Sequence, residues 1–196
     1  TGCATTGTPA PGTGGCTLRD AIVFSNANPQ TPPAQNLIVF DIPGGGAQLI
    51  TVGSPLPPIT AATIVDGYTQ PGASPNTQAI GSDAVIDVLV RGKDNLQRLL
   101  VVSGGAGSVI RGLSLSIYDN GGVGLPQTAV ILESCCNSVT GNFFGFDQSA
   151  GSAAYGGVEV DSSHNVIGGP APADRNVLGL GGDQALVELL GEENLI

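Results

Sequence analysis

Apolar residues in this chain come in short runs separated by glycine, proline, serine and asparagine. Four downstream segments restate one another: LLVVSGGAGSVIRG, AVILESCCNSVTG, VEVDSSHNVIGG and LVELLGEENLI. Each holds an apolar strand, a turn of small or polar residues, and a second, shorter apolar strand. Anchored on Ser108-Val109, Ser138-Val139, Asn165-Val166 and Asn194-Leu195, they repeat at spacings of 30, 27 and 29 residues. Self-similarity at a period of about 20–50 residues marks a repeat architecture. The unit contains no segment of helical length and period, so the pattern predicts an all-β fold, a right-handed parallel β-helix. Each repeat is then one coil, and equivalent strands stack about 4.8 Å apart. The alignment predicts one interior column of Val102, Leu132 and Val160, and another of Val109, Val139, Val166 and Leu195.

Upstream the same grammar holds with less regularity. Strands are expected at Leu37 to Ile42, Gln48 to Val52, Ala62 to Asp66 and Ala84 to Val90. A Pro-rich corner spans Ser54 to Thr60, and a Pro/Gly/Ser loop spans Tyr68 to Gln78. Coil-opening strands near Leu37, Thr63, Leu99, Ala129, Val158 and Leu186 give about six coils. The one helix signal is Thr17 to Ala27. There Thr17 and Asp20 have capping-box spacing, and Leu18, Ala21 and Ile22 make an apolar face. So short a helix must be held by packing, and it is expected to cover the strand edges at the N-terminal end. The chain therefore reads as one β-solenoid domain, 1–196. Residues 1–36 form a disulfide loop and capping helix, and residues 37–196 the coils.

Composition supports this picture. Gly (31) and Pro (14) are abundant, yet 41% of the chain is hydrophobic, more than a disordered chain carries. The formal net charge is −10, and Lys93 is the sole lysine. Nucleic-acid binding needs clustered basic residues, so it is excluded as a function class. No apolar run approaches the roughly 20 residues of a membrane span. The chain contains no Met and is expected to be a processed secreted protein or a trimmed piece. Cys3 and Cys16 flank a coreless Gly/Thr/Pro loop, which reads as a disulfide formed in an oxidising compartment. Cys135-Cys136 leave three options open: a vicinal disulfide, two buried thiols, or a link to another chain.

The segments CTLRDAI, LIVFDIPGGG, LITVGSPLPPIT, TIVDGYTQPG, NVIGG and RNVLG occur here in order. In them the chain resembles secreted bacterial right-handed parallel β-helix proteins with an N-terminal C-(S/T)-L-R-(E/D)-A segment. The resemblance runs from Cys3 to Asn194 and implies an extracellular or cell-surface module. Its motifs are structural: a cap, turns and coil corners. Cys135-Cys136 depart from the small polar residues of that pattern.

Candidate chemistry is sparse. The coil alignment places Glu133 over Asp161, about 5 Å away, the separation of a retaining glycosidase pair. Parallel β-helices also host polysaccharide lyases, but no basic residue is read on this face, and solvated strand-end carboxylates are the plainer account. Asp119, Asp147, Asp161, Asp174 and Asp183 sit in turns. They are weak calcium candidates, because Asp also favours turns for local reasons. His164 is the sole histidine. A triad with neighbouring Ser162 and Asp161 is not expected, since triads are defined by geometry. Of Phe143, Phe144 and Phe146, at least one is expected inside the coil. No catalytic site and no cofactor are assigned. The expected function is an extracellular structural solenoid that polymerises end to end into a filament or surface layer. Leu186, Leu190, Asn194, Leu195 and Ile196 would form the assembly end. The alternatives are a polysaccharide-binding or polysaccharide-degrading domain, and a repeat fragment of a large adhesin.

Overall fold

The computed structural model describes residues 15–93, 96–118, 127–146, 154–179 and 186–196. Helix α1 (Leu18–Ala27) begins at Thr17, whose side chain accepts from the Asp20 amide while the Asp20 carboxylate accepts from the Thr17 amide. A hydrogen bond from the Thr17 hydroxyl, followed by that from the Thr17 amide, holds the exposed Asp20 carboxyl below the ordinary Asp range. The expected capping box is present.

The rest of the described chain winds as a parallel β-solenoid. The first coil holds β1 (Asn36–Val39) and β2 (Gln48–Val52). The second holds β3 (Thr63–Asp66), β4 (Val88–Gly92) and β5 (Arg98–Val102). The third holds β6 (Val109–Arg111), β7 (Ser114–Tyr118) and β8 (Thr128–Leu132). In the fourth lie β9 (Ser138–Thr140), β10 (Phe143–Phe144), β11 (Ala154–Tyr155) and β12 (Val158–Val160). The fifth holds β13 (Val166–Ile167), β14 (Val177–Leu178) and β15 (Val187–Leu189). Three parallel ladders result: β1-β3-β6-β9-β13, β2-β4-β7-β10-β14 and β5-β8-β12-β15. Ile59 bridges Val102 at the start of the third ladder, and Leu195 bridges Val166 at the end of the first. Because β10 is short, β11 folds back antiparallel along the remaining length of β7.

The ladders hold four or five parallel strands, fewer than the six coils expected. The reason lies in the register. The strands near Leu37 and Thr63 belong to the first ladder, whereas those near Leu99, Ala129, Val158 and Leu186 belong to the third. Leu99 closes the coil that Thr63 opens, so counting both overstates the number.

Of the two expected interior columns, one stands and one shifts by a residue. Val102, Leu132 and Val160 are in register and fully buried. The other column is Ile38–Val65–Ile110–Val139–Ile167, all buried. Val109 and Val166 instead align with Ser138, half-exposed on the outside. The anchor on Ser138 was one residue late: a one-residue slip sends a side chain to the opposite face.

The true anchors are the corner residues just before the first ladder. The Thr63 amide donates to Ser108 Oγ (3.0 Å) and the Ser108 amide to Asn137 Oδ1 (2.8 Å). The Asn137 amide donates to Asn165 Oδ1 (2.9 Å) and the Asn165 amide to Asn194 Oδ1 (2.8 Å). The last three steps span 29, 28 and 29 residues. A second run follows the same ladder at its other edge: Leu113 N–H to Asn142 Oδ1, and Asn142 N–H to Asn176 Oδ1. Corners have no strand partner for their amides, and a buried unpaired amide is costly. Side-chain amides stacked between coils meet that need.

The turn before each anchor is equally regular. Gly107, Cys136, His164 and Glu193 each precede an anchor, and each has positive φ (85°, 67°, 61° and 54°). The three non-glycine residues, Cys136, His164 and Glu193, therefore carry left-handed strain of about 1–2 kcal/mol each. Cys136→Gly is accordingly expected to stabilise the chain by a few tenths to about 1 kcal/mol, read from the urea midpoint. A loss of stability would show that the Cys136 side chain does more than occupy the turn.

Candidate functional site

Three places carry the candidate residues: the outer face of the third ladder, the turn column just described, and the ends of the solenoid.

On the third ladder, Ile131 of β8 pairs with Glu159 of β12, and both line the outer face. Leu132 pairs with Val160, so Glu133 and Asp161 follow on adjacent coils, and the Asp161 amide donates to the Leu132 carbonyl (3.0 Å). The expected juxtaposition of these two carboxylates therefore holds at the level of register. Two features were not legible in the sequence. Arg98 stands on this face after all, its Nη1 3.4 Å from Glu133 Oε1. The perturbed carboxyl is Glu159: its pKa is raised, first by partial burial and then by Asp161, with Glu188 adding to it. Thr128 Oγ1 donates to Glu159 Oε2 (3.3 Å) and opposes the shift. Gln97, Arg98, Thr128, Ile131 and Glu159 line a shallow cleft of about 240 Å³. Chemically the face offers carboxylate acceptors and one guanidinium donor, a set suited to hydroxyl-rich ligands.

The sign of the Glu159 shift gives a pH test. A carboxyl whose folded-state pKa is raised lowers stability as pH rises through the window from its ordinary value to the raised one. Glu159→Gln is expected to remove that slope and to melt slightly above the parent at neutral pH, with no difference near pH 4. Thermal melts across that range decide it, and identical slopes in both proteins would refute the assignment.

In the turn column, His164 Nε2 lies 2.6 Å from Glu193 Oε2, one coil on, with both side chains exposed. Ser162 is turned away from it: its Oγ donates to the carbonyls of Leu132 (2.9 Å) and Ser134 (2.7 Å). Ser162, His164 and Asp161 thus form no triad. Cys135 and Cys136 are free thiols, half-buried and exposed respectively. The structure therefore has neither the vicinal disulfide nor the fully buried pair among the sequence options. A hydrogen bond with the Cys135 thiol pushes the Cys136 pKa up. Phe144 is fully buried, as expected for one of the three phenylalanines, while Phe143 and Phe146 meet near the surface at a 5.7 Å centroid separation.

Cys3, Asp119, Asp147 and Asp183 lie outside the described residues. Asp161 belongs to the acidic face, and Asp174 to a short 3-10 turn, Pro172–Asp174. Among the described residues, no group of three His, Cys, Asp or Glu side chains is arranged to hold a metal. No described helix is long and apolar enough to cross a membrane.

The ends differ. At the N-terminal end, α1 lies on the first coil with Leu18, Ile22 and Ser25 buried. Arg19 donates to the carbonyls of Ser54 and Pro55, Asn26 to that of Pro58, and Ser25 Oγ shares a hydrogen bond with Thr63 Oγ1. This is the expected cover. In the last coil, Leu189, Leu190, Leu195 and Ile196 are 39%, 66%, 60% and 69% exposed. Leu186 there is half-buried, and Asn194 continues the corner ladder. No family model, curated protein or solved structure matches the chain. The parallel solenoid is thus established by its geometry, and it agrees with a structural or repeat-type protein.

Proposed function

We propose that this is an extracellular structural β-solenoid that works by stacking, the last coil of one copy bearing on the N-terminal region of the next in a filament or surface layer. The observation that supports it is the exposure of four apolar side chains in the last coil, Leu189, Leu190, Leu195 and Ile196, beside strands still in register with the coil before. Exposed apolar patches of this kind mark association surfaces. Contact between two unlike ends is heterologous and propagates unless rotation closes it. Electron microscopy and light scattering of the purified chain test the reading. Elongated particles that lengthen with concentration, and that shorten in a Leu190→Glu/Leu195→Glu variant, are expected. A stable monomer at high concentration would overturn it.

Polysaccharide binding on the third ladder is the second reading, favoured by the Arg98–Glu159 cleft.

An oxidising compartment is proposed with it. Cys16 is disulfide-bonded whereas Cys135 and Cys136 are free, which supports a Cys3–Cys16 bond. Such a loop would contribute roughly 3 kcal/mol in the entropic picture. Unreduced peptide mapping is expected to recover Cys3 linked to Cys16; free thiols at both would sink it.

A further inference from the structure

A second cavity lies at the opposite edge of the first ladder, where the chain leaves β3. There the excursion between β3 and β4 folds down over the following coils. Its Asn76 is buried, donates to the Pro172 carbonyl (3.0 Å), and accepts from the amides of Gln78 and Asp83. From the other side, the Arg175 guanidinium donates to the carbonyls of Gln78, Ala79 and Gly81. Two loops nearly 100 residues apart in sequence (|i−j| of 94 to 97) are thus locked together. Between them and the ladder is a space of about 220 Å³, lined by Tyr68, Pro75, Arg111, Thr140, Ala173 and Asp174.

The lining is positioned by bonds that do not need a ligand. Tyr68 Oη donates to the Gly141 carbonyl (2.7 Å), which fixes the ring. Burial, followed by the nearby Asp66 charge, pushes the Tyr68 phenol up to about 12, so it remains a donor. The buried Asp66 carboxylate holds Arg111 Nη2 at 2.6 Å, while nearly half of the Arg111 side chain stays exposed. Register places Thr140 beside Arg111 on the next coil. Asp174 accepts the Ala171 amide through Oδ2.

We propose that this cavity binds one neutral sugar ring of a glycan. The C–H face of a pyranose would lie against Tyr68 and Pro75. Its hydroxyls would accept from Arg111, donate to Asp174, and exchange bonds with Thr140. The volume is below the roughly 300–1,000 Å³ of sites for drug-sized ligands, which suits a single ring. Charge selects against acidic sugars: Asp66 already neutralises Arg111, and Asp174 leaves the site negative. Preformed walls lower the ordering cost of binding.

The test is an amide-resolved NMR titration of the whole chain with methyl glucoside, methyl galactoside, methyl mannoside, methyl N-acetylglucosaminide and, as the acidic comparator, glucuronate. Saturable shifts are expected at Gly67–Tyr68, Arg111–Gly112, Thr140–Gly141 and Ala173–Asp174 for at least one neutral glycoside. Thr140→Val and Asp174→Asn, both isosteric, should each weaken binding roughly tenfold, whereas Glu159→Gln on the third ladder should not. The absence of saturable shifts with every neutral glycoside, shifts confined to another surface, equal binding of glucuronate, or indifference to both isosteric variants would each overturn the proposal.

Discussion

Val139→Asp is expected to abolish cooperative folding at neutral pH. Val139 is fully buried within the Ile38–Val65–Ile110–Val139–Ile167 column, with Ile110 and Ile167 as aliphatic neighbours on the adjacent coils. An ionised carboxylate there has no partner. An uncompensated buried charge costs on the order of 3–5 kcal/mol, comparable to the whole stability of a domain at the lower end of about 5–15 kcal/mol. Partial relief is expected in acid, where the carboxyl is neutral and only a buried polar group remains. The same experiment tests the register. Ile167→Asp should be nearly as damaging, whereas Val166→Asp, on the half-exposed position, should be tolerated. Circular dichroism melts of the three variants suffice, and a reversed order for Ile167 and Val166 would refute the column.

Asn142→Leu is expected to cost about 3 kcal/mol or more, although it replaces a polar side chain with an apolar one of similar size. Asn142 is fully buried. Its Oδ1 accepts the Leu113 amide, and its Nδ2 donates to the carbonyls of Ile110 (2.8 Å) and Thr140 (3.1 Å). Leucine leaves all three backbone groups without these bonds, at about 1–3 kcal/mol for each buried group left unpaired. Asn137→Ala should behave alike at the other corner, and hydrogen exchange should show the Ser108 amide losing protection. Combined with Asn165→Ala, its effect should be non-additive, because the Asn137 amide donates to Asn165 Oδ1. Additive losses with an unchanged Ser108 amide would mean that the asparagines are only space-fillers.

The fold was legible because its repeat is written in local sequence. The apolar pairs around Val102, Leu132 and Val160 recur with similar spacing, and the Thr17/Asp20 cap is a contact between near neighbours. The register was legible only to within one residue. Ser138 and Asn137 are both turn-forming residues, and choosing between them requires knowing which one the Ser108 amide reaches. Asn137, Asn165 and Asn194, aligned with one another, were the available signal. The Arg98–Glu133 pair and the Tyr68–Arg111–Asp174 cavity are of another kind. Their members lie 35 to 106 residues apart and share no motif; only the winding of the chain brings them together. Cys136 and His164 looked like chemistry because of their residue types, yet the structure puts both in the same left-handed turn position.

That turn position has a further consequence. The backbone φ at Gly107, Cys136, His164 and Glu193 stays positive, between 54° and 85°, whether the residue is a glycine, a thiol, an imidazole or a carboxylate. Shape and side-chain identity are uncoupled along this edge, which makes the edge a graduated rule. Its marks are spaced by the strand separation of about 4.8 Å, and a group written at any mark can be exchanged without redrawing the scale.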